Sequence, residues 1–142
     1  MSTRRAIVGS TAAPQPAPAF RLTPQRAAVL EVVRRAGDHP TARDIYERVR
    51  RQRPGIGFAT VYRTLALLAG HGEILELQLG DDAVARYDGN TRHHDHVVCG
   101  GCGAVADLSV PLPVSVTAEA AAASGFTIDG YELRFTGRCP NC

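Results

Sequence analysis

From residue 23 onward, apolar positions recur at helical intervals three times. Ala27, Val29, Leu30, Val32 and Val33 form a first stripe. Thr23-Pro24 bounds it on one side, a good N-cap followed by a residue suited to the first turn, and Gly37 ends it. Ile45, Tyr46 and Val49 form a second stripe, preceded by Thr41 with Asp44 three residues on, the spacing of a capping box. Pro54, Gly55 and Gly57 turn the chain. Val61, Leu65 and Leu68 then predict a third helix over about residues 59–68, closed by Gly70 and Gly72. Next the period changes from helical to alternating. Residues 74–79 alternate, Gly80-Asp81-Asp82 turns, and residues 84–87 return as a hairpin. Three short helices followed by a hairpin is the order of a winged helix-turn-helix. A small α+β domain with no nucleic-acid role shares that outline.

The second half reads as a strand (96–99), a turn, a strand (104–108), a helix over about 114–124, two strands (126–131 and 132–136) and a final turn. Its helix is rich in alanine and its large apolar residues are few, so such a unit completes its core by dimerising. The expected fold class is therefore α+β: a winged helix-turn-helix domain over residues 20–88 and an α/β dimerisation domain over 92–142. Residues 88–91 form the hinge. Residues 1–19, with Pro14, Pro16 and Pro18 and no acid, read as a disordered arm in which Arg4 and Arg5 could touch DNA. No internal repeat is evident.

Charge sharpens the division. Residues 1–72 carry 12 arginines and 4 acids, whereas residues 73–142 carry 4 arginines and 10 acids. A basic half joined to an acidic one suggests a polyanion-binding domain coupled to a domain with another task. No apolar run approaches the roughly 20 residues needed to span a bilayer. Ala6-Ile7-Val8 is too short for a signal-peptide core. A cytoplasmic protein without membrane contact is expected, and in that compartment paired cysteines are metal ligands more often than disulfides.

The densest chemistry lies in His93-His94-Asp95-His96-Val97-Val98-Cys99-Gly100-Gly101-Cys102. Cys99-x-x-Cys102 has one counterpart, Cys139-x-x-Cys142, and these four are all the cysteines of the chain. Two such pairs, each biting from one tight turn, make a four-thiolate structural zinc site. The 36 residues between the pairs exceed a simple zinc ribbon, so a folded unit must sit between them. Four thiolates leave no open position for catalysis. The histidines upstream are surplus to that zinc.

Thr23-Pro24-Gln25-Arg26, His39-Pro40-Thr41-Ala42, Ala59-Thr60-Val61-Tyr62-Arg63-Thr64-Leu65 and His93-His94-Asp95-His96 before Cys99-x-x-Cys102 occur in order. Over about residues 20–142 they resemble the ferric uptake regulator family, most closely its peroxide-sensing branch. The resemblance implies a homodimeric, metal-dependent repressor of double-stranded DNA with a palindromic, AT-rich operator. It also implies a regulatory site on His39, Asp88, His94, His96 and Asp107. Aspartate at both carboxylate positions matches the peroxide branch, where iron sensors commonly carry Glu; the Cys typical of zinc sensors has no candidate here. Three nitrogen and two oxygen donors suit Fe²⁺ or Mn²⁺ and lack the soft thiolates that favour zinc. A further site of some relatives would use His93 and Asp95, but its last histidine is Tyr131 here, so that site looks incomplete.

For DNA, the third helix offers Thr60, Tyr62, Arg63 and Thr64 on its exposed side. Arg63 could fork to guanine or clamp a phosphate. By resemblance, Arg26 is a phosphate contact and Arg21 a minor-groove one. Other readings stand beside this one: an iron- or manganese-uptake regulator that senses metal level, a metal-dependent hydrolase, or a zinc-stapled interaction module. A hydrolase needs a base free of the metal, and every acid in reach is already a ligand, so no enzyme is expected.

Overall fold

The computed structural model describes residues 20–79 and 84–142. The expected N-terminal arm and the Gly80-Asp81-Asp82 turn lie outside these residues.

Three helices come first: α1 (Pro24–Arg35), α2 (Ala42–Gln52) and α3 (Phe58–Gly70). Their starts are written in the sequence. The Thr23 hydroxyl accepts the Arg26 amide at 3.4 Å with Pro24 in the first turn. Thr41 and Asp44 close a complete capping box, with the Thr41 amide donating to the carboxylate at 2.9 Å. Helix α3 starts on Gly57 with no side-chain cap, and it runs two residues further at its C-terminal end than the apolar stripe predicts. The apolar faces of all three meet in one core. It comprises Val29, Leu30, Val33, Ile45, Val49, Ile56, Val61, Leu65 and Leu68, completed by Ile74 and Tyr87 of the following segment.

The wing follows as β1 (Leu75–Leu77) paired antiparallel with β2 (Arg86–Asp88). Asp88 is thus the last residue of a strand rather than the start of a free hinge. The loop before α2 is laced to β2: the Tyr87 amide donates to the Pro40 carbonyl at 3.0 Å, and Thr41 bridges to Arg86.

A second sheet has the order β4-β3-β5, with β3 (Asp95–Cys99) in the centre. It pairs antiparallel with β4 (Val105–Leu108), placing His96 opposite Asp107. On its other edge it pairs parallel with β5 (Arg134–Gly137), aligning Cys99 with Gly137. That pairing carries the second cysteine turn back beside the first. Between them runs α4 (Val114–Ser124), ended by Gly125 at φ 73°.

The strand expected over 126–131 does not form. β3 has both neighbours in β4 and β5, and Phe126 and Ile128 pair with neither outer edge of that three-stranded sheet. Buried apolar residues in this half are only Val98, Cys99 and Val105; α4 buries none, and Val114 and Phe126 stand exposed.

Candidate functional site

The four cysteines converge. Cys99 Sγ lies 3.7 Å from Cys142 Sγ and Cys102 Sγ lies 3.7 Å from Cys139 Sγ, with all four sulfurs within 4.8 Å of one another. A disulfide needs about 2.05 Å. A tetrahedron of sulfurs about 2.3 Å from a central ion has edges of about 3.8 Å, so the spacing fits zinc. The amides of Gly101 and Cys139 donate to Cys99 Sγ at 3.4 and 3.3 Å. Backbone N–H groups of Cys102, Cys139 and Gly101 bring the Cys99 thiol down to about 6, while the crowd of neighbouring sulfurs pushes Cys142 up to about 12. Four sulfurs this close ionise together only around a cation. Gly101 makes room for the knuckle: a Cβ there would stand 3.1 Å from Cys142 Sγ.

One turn of sequence earlier, β3 serves a second cluster. His39, Asp88, His94, His96 and Asp107 each offer one donor atom, and these atoms lie within 4.8 Å of one another. Asp88 Oδ2 is 3.2 Å from His39 Nε2, 2.7 Å from His94 Nε2 and 3.3 Å from His96 Nε2. Asp107 Oδ1 is 2.7, 3.3 and 3.5 Å from the same three nitrogens. Ligands about 2.1 Å from one ion at angles of 90–120° stand about 3.0–3.6 Å apart.

Hydrogen bonding alone does not account for this packing. His94 Nδ1 lies 2.6 Å from the Arg92 carbonyl, so that nitrogen carries the proton. Nε2 of the neutral ring then turns a lone pair on the Asp88 carboxylate at 2.7 Å. A proton on Nε2, which makes the ring an imidazolium, or a metal ion between the two groups resolves that contact. Accordingly, although burial lowers the His94 pKa, the Arg92 carbonyl and the two aspartates raise it further, for a net upward shift. Burial likewise pushes Asp88 up, but the Asn90 amide and the imidazoles of His96 and His94 hold it below the usual carboxylate range. His39 makes the same point more sharply. It is buried, and neither ring nitrogen has a hydrogen-bond partner although Asp107 Oδ1 is near, because the approach is off the hydrogen-bonding direction. The donors face a common point, and three imidazoles with two carboxylates fit Fe²⁺ or Mn²⁺.

Each donor is held from outside the cluster. Asp88 Oδ1 accepts the Asn90 amide at 2.8 Å, which leaves Oδ2 for the site. His39 adopts φ 49°, the only positive φ at a non-glycine among the described residues. That conformation costs on the order of 1 kcal/mol or more. Arg86 Nη1 donates to the His39 carbonyl at 3.3 Å, and the neighbouring Asp38 is forked by Arg48 of α2 at 2.9 and 2.5 Å. The supporting roles of Arg86, Arg48 and Asn90 were not legible in sequence spacing. Four of the five ligand side chains are sealed; Asp107 alone is 45% exposed.

His93 and Asp95 stay outside the cluster. His93 is exposed and meets the Tyr131 ring edge-on at 4.9 Å, and its Nε2 is 4.0 Å from the buried Asp95.

In the helical half, α3 presents Tyr62, 55% exposed, with Arg63 also exposed. A groove of about 470 Å³ runs between the start of α1 and α3, bordered by Arg26, Thr60 and Arg63. Arg26 Nη1 donates to the Arg21 carbonyl at 2.7 Å, so the two expected contacts form one unit. Thr64 corrects the sequence reading. It is only 6% exposed, because it falls one turn after Val61 on the stripe that faces the core, and it meets the groove only at its floor. No helix among the described residues is long and apolar enough to cross a membrane.

The sequence model described as the ferric uptake regulator family matches residues 18–136. The "Peroxide operon regulator" of Bacillus subtilis is 38% identical over 122 residues, 86% of this chain and 83% of that protein. The "Peroxide-responsive repressor PerR" of Staphylococcus saprophyticus is 34% identical over 86% of this chain and 82% of its own length. Among solved structures, a Campylobacter jejuni peroxide stress regulator shares 28% identity with a TM-score of 0.69, covering 84% of this chain and 89% of that one. The Vibrio cholerae ferric uptake regulator shares 28% identity with a TM-score of 0.70, covering 84% and 92%.

Proposed function

The chain belongs to the ferric uptake regulator family, and from that premise we propose that it is a homodimeric, metal-dependent transcriptional repressor that responds to peroxide. The observation that carries the reading is the five-donor cluster, with aspartate at both carboxylate positions and no thiol among its ligands. The relatives named for peroxide response support the same branch.

The cluster works as a clasp. His39 precedes α2 in the helical half, whereas His96 and Asp107 stand on the second sheet and His94 lies just before β3. Closing the set fixes the reading helix α3 relative to the dimerisation half, and what metal does to DNA affinity, DNA must do in equal measure to metal affinity. In a two-fold dimer the two copies of α3 read a palindrome, which by family likeness is AT-rich. Tyr62 and Arg63 approach bases and phosphates, with Arg21 and Arg26 at the flank. Fe²⁺ held by His39, Asp88, His94, His96 and Asp107 would promote cleavage of the peroxide O–O bond, one oxygen going to an imidazole ring, which gives up two electrons overall, and the other leaving as water; Mn²⁺ would give the repressor without that chemistry. Addition of oxygen to the ring of His39 or His94 removes a nitrogen donor, opens the clasp and lowers DNA affinity. Zn²⁺ on Cys99, Cys102, Cys139 and Cys142 keeps the sheet folded throughout.

Mass spectrometry after H₂O₂ treatment of Fe²⁺-loaded protein tests the reading. One added oxygen is expected on the tryptic peptide of residues 36–43, which holds His39, or on that holding His94. Mn²⁺-loaded protein should show none. Absence of the oxygen with Fe²⁺ would leave a regulator that reads metal level. Retention of a selected palindromic duplex that ignored removal of both metals would overturn the repressor itself.

A further inference from the structure

Gly89 has no space for a side chain. A Cβ built on it would stand 2.6 Å from Arg34 Cα, 3.0 Å from the Val33 carbonyl oxygen and 3.1 Å from the Arg34 nitrogen. All three are backbone atoms of the last turn of α1, and they cannot swing aside as a side-chain end would. Val33 is itself fully buried in the helical core, and Arg34 is tied to Glu73 by an ion pair of 2.7 Å. Among the described glycines only Gly89 and Gly101 have a heavy atom closer than 3.4 Å to such a position. Gly101 serves the cysteine knuckle. Gly89 follows Asp88 directly, and the Asn90 amide on its other side fixes the Asp88 carboxylate.

Taking the regulatory site as read above, we propose that Gly89 is a positioning residue of that site. The bare α-carbon lets the chain dock on the end of α1, and that docking sets where Asp88 stands among the imidazoles. The same contact makes α1 report the state of the cluster. Helix α1 is a 12-residue rod, about 18 Å long, and its far end carries Thr23 and Arg26 at the groove beside α3. Displacement of Asp88 by ligand loss pushes or releases the last turn of α1, and the rigid helix transmits the shift to the Arg26 end. His39 links the halves directly; Gly89 adds a second route through the helical core.

The test is Gly89→Ala against Gly37→Ala, a loop glycine with nothing within 4 Å of its Cβ position. Full-length dimeric protein with its zinc is assayed for Mn²⁺ affinity by chelator competition and for DNA affinity with and without Mn²⁺. Gly89→Ala should keep zinc content, lose about 10- to 100-fold in Mn²⁺ affinity, the usual effect of disturbing a group that orients a ligand, and narrow the ratio of DNA affinities with and without metal. Gly37→Ala should match the parent. Wild-type Mn²⁺ affinity and an unchanged ratio in Gly89→Ala would overturn the proposal. Hydrogen exchange on the unaltered protein gives an independent answer if the variant fails to fold. Mn²⁺ should slow exchange in peptides covering 86–92 and 30–37 together. Protection of 86–92 alone would sink the proposal and spare the regulatory reading; protection of neither would sink both.

Discussion

Cys102 lies on the surface, so replacing it with alanine removes almost no packing. An ordinary surface substitution changes stability by about 0.5 kcal/mol or less. The structure demands a much larger effect here. The only apolar residues that the second half buries are Val98, Cys99 and Val105, worth about 1.5–3 kcal/mol each at most, while four thiolates closing on zinc contribute on the order of 10 kcal/mol. Three sulfurs retain part of that, so Cys102→Ala should cost several kcal/mol and strip the zinc. With a urea slope of about 1–3 kcal/mol per M, the midpoint of the second sheet should fall by more than about 1 M. The helical half has its own core of eleven buried residues, so the loss should be confined. In heteronuclear NMR, amides of α1 to α3 should stay dispersed while those of β3 to β5 collapse. Affinity for Mn²⁺ should vanish with them, since His96 and Asp107 ride on that sheet and His94 leads directly into β3. A variant within 0.5 kcal/mol of the parent, with Mn²⁺ binding intact, would refute the zinc-first account.

Removing the His39 ring breaks the link between the halves and leaves zinc untouched, so His39→Ala should bind Mn²⁺ more than about 100-fold more weakly, beyond the range for indirect groups, and lose metal-dependent retention in gel shift at normal zinc content. Asp44 is held below its ordinary pKa by the Thr41 hydroxyl and amide, so its cap stabilises the fold above the unfolded value of about 3.9 and fades as pH falls through the lower folded value. Asp44→Ala should therefore cost about 0.5–1 kcal/mol near neutrality and little in strong acid, read from urea midpoints across pH. For Arg63→Ala, a phosphate contact predicts uniform weakening across duplexes with a salt slope smaller by about 1, whereas a base contact predicts about 1–3 kcal/mol lost at one position only; anisotropy titrations at several salt concentrations separate the two.

Much of this arrangement was readable before any coordinates. Caps at Thr23 and Thr41, the three apolar stripes and the two cysteine turns are local signals, set by neighbours a few residues away. The two-residue spacing of His94 and His96 brings both to one cluster, although β3 begins only at Asp95, and the pairing of His96 with Asp107 follows from the short turn between β3 and β4. Thr64 is polar yet faces inward, since 61, 64, 65 and 68 form one stripe and all four are buried. The strand expected over 126–131 failed for the opposite reason. Alternation describes what a segment can do, whereas pairing is decided by where the fold carries it, and 126–131 is not laid along either outer edge of the sheet. Nothing local announced the strained backbone of His39, the reach of Arg86 to its carbonyl, or the docking of Gly89. Each arises where segments some 45–55 residues apart meet, and there sequence periodicity carries no information.

The uneven exposure of the five donors bears on timing. A sensor has a set point, fixed by how tightly it holds its ion, and a response time, fixed by how fast the ion can enter and leave. With four donors sealed and Asp107 half in solvent, the Asp107 side is the one by which an ion would enter or leave. The set point is thus written mainly in the sealed residues and the clock mainly in one exposed arm. Changes around Asp107 that leave its oxygen in place can hasten or slow the regulator without altering the metal level at which it acts.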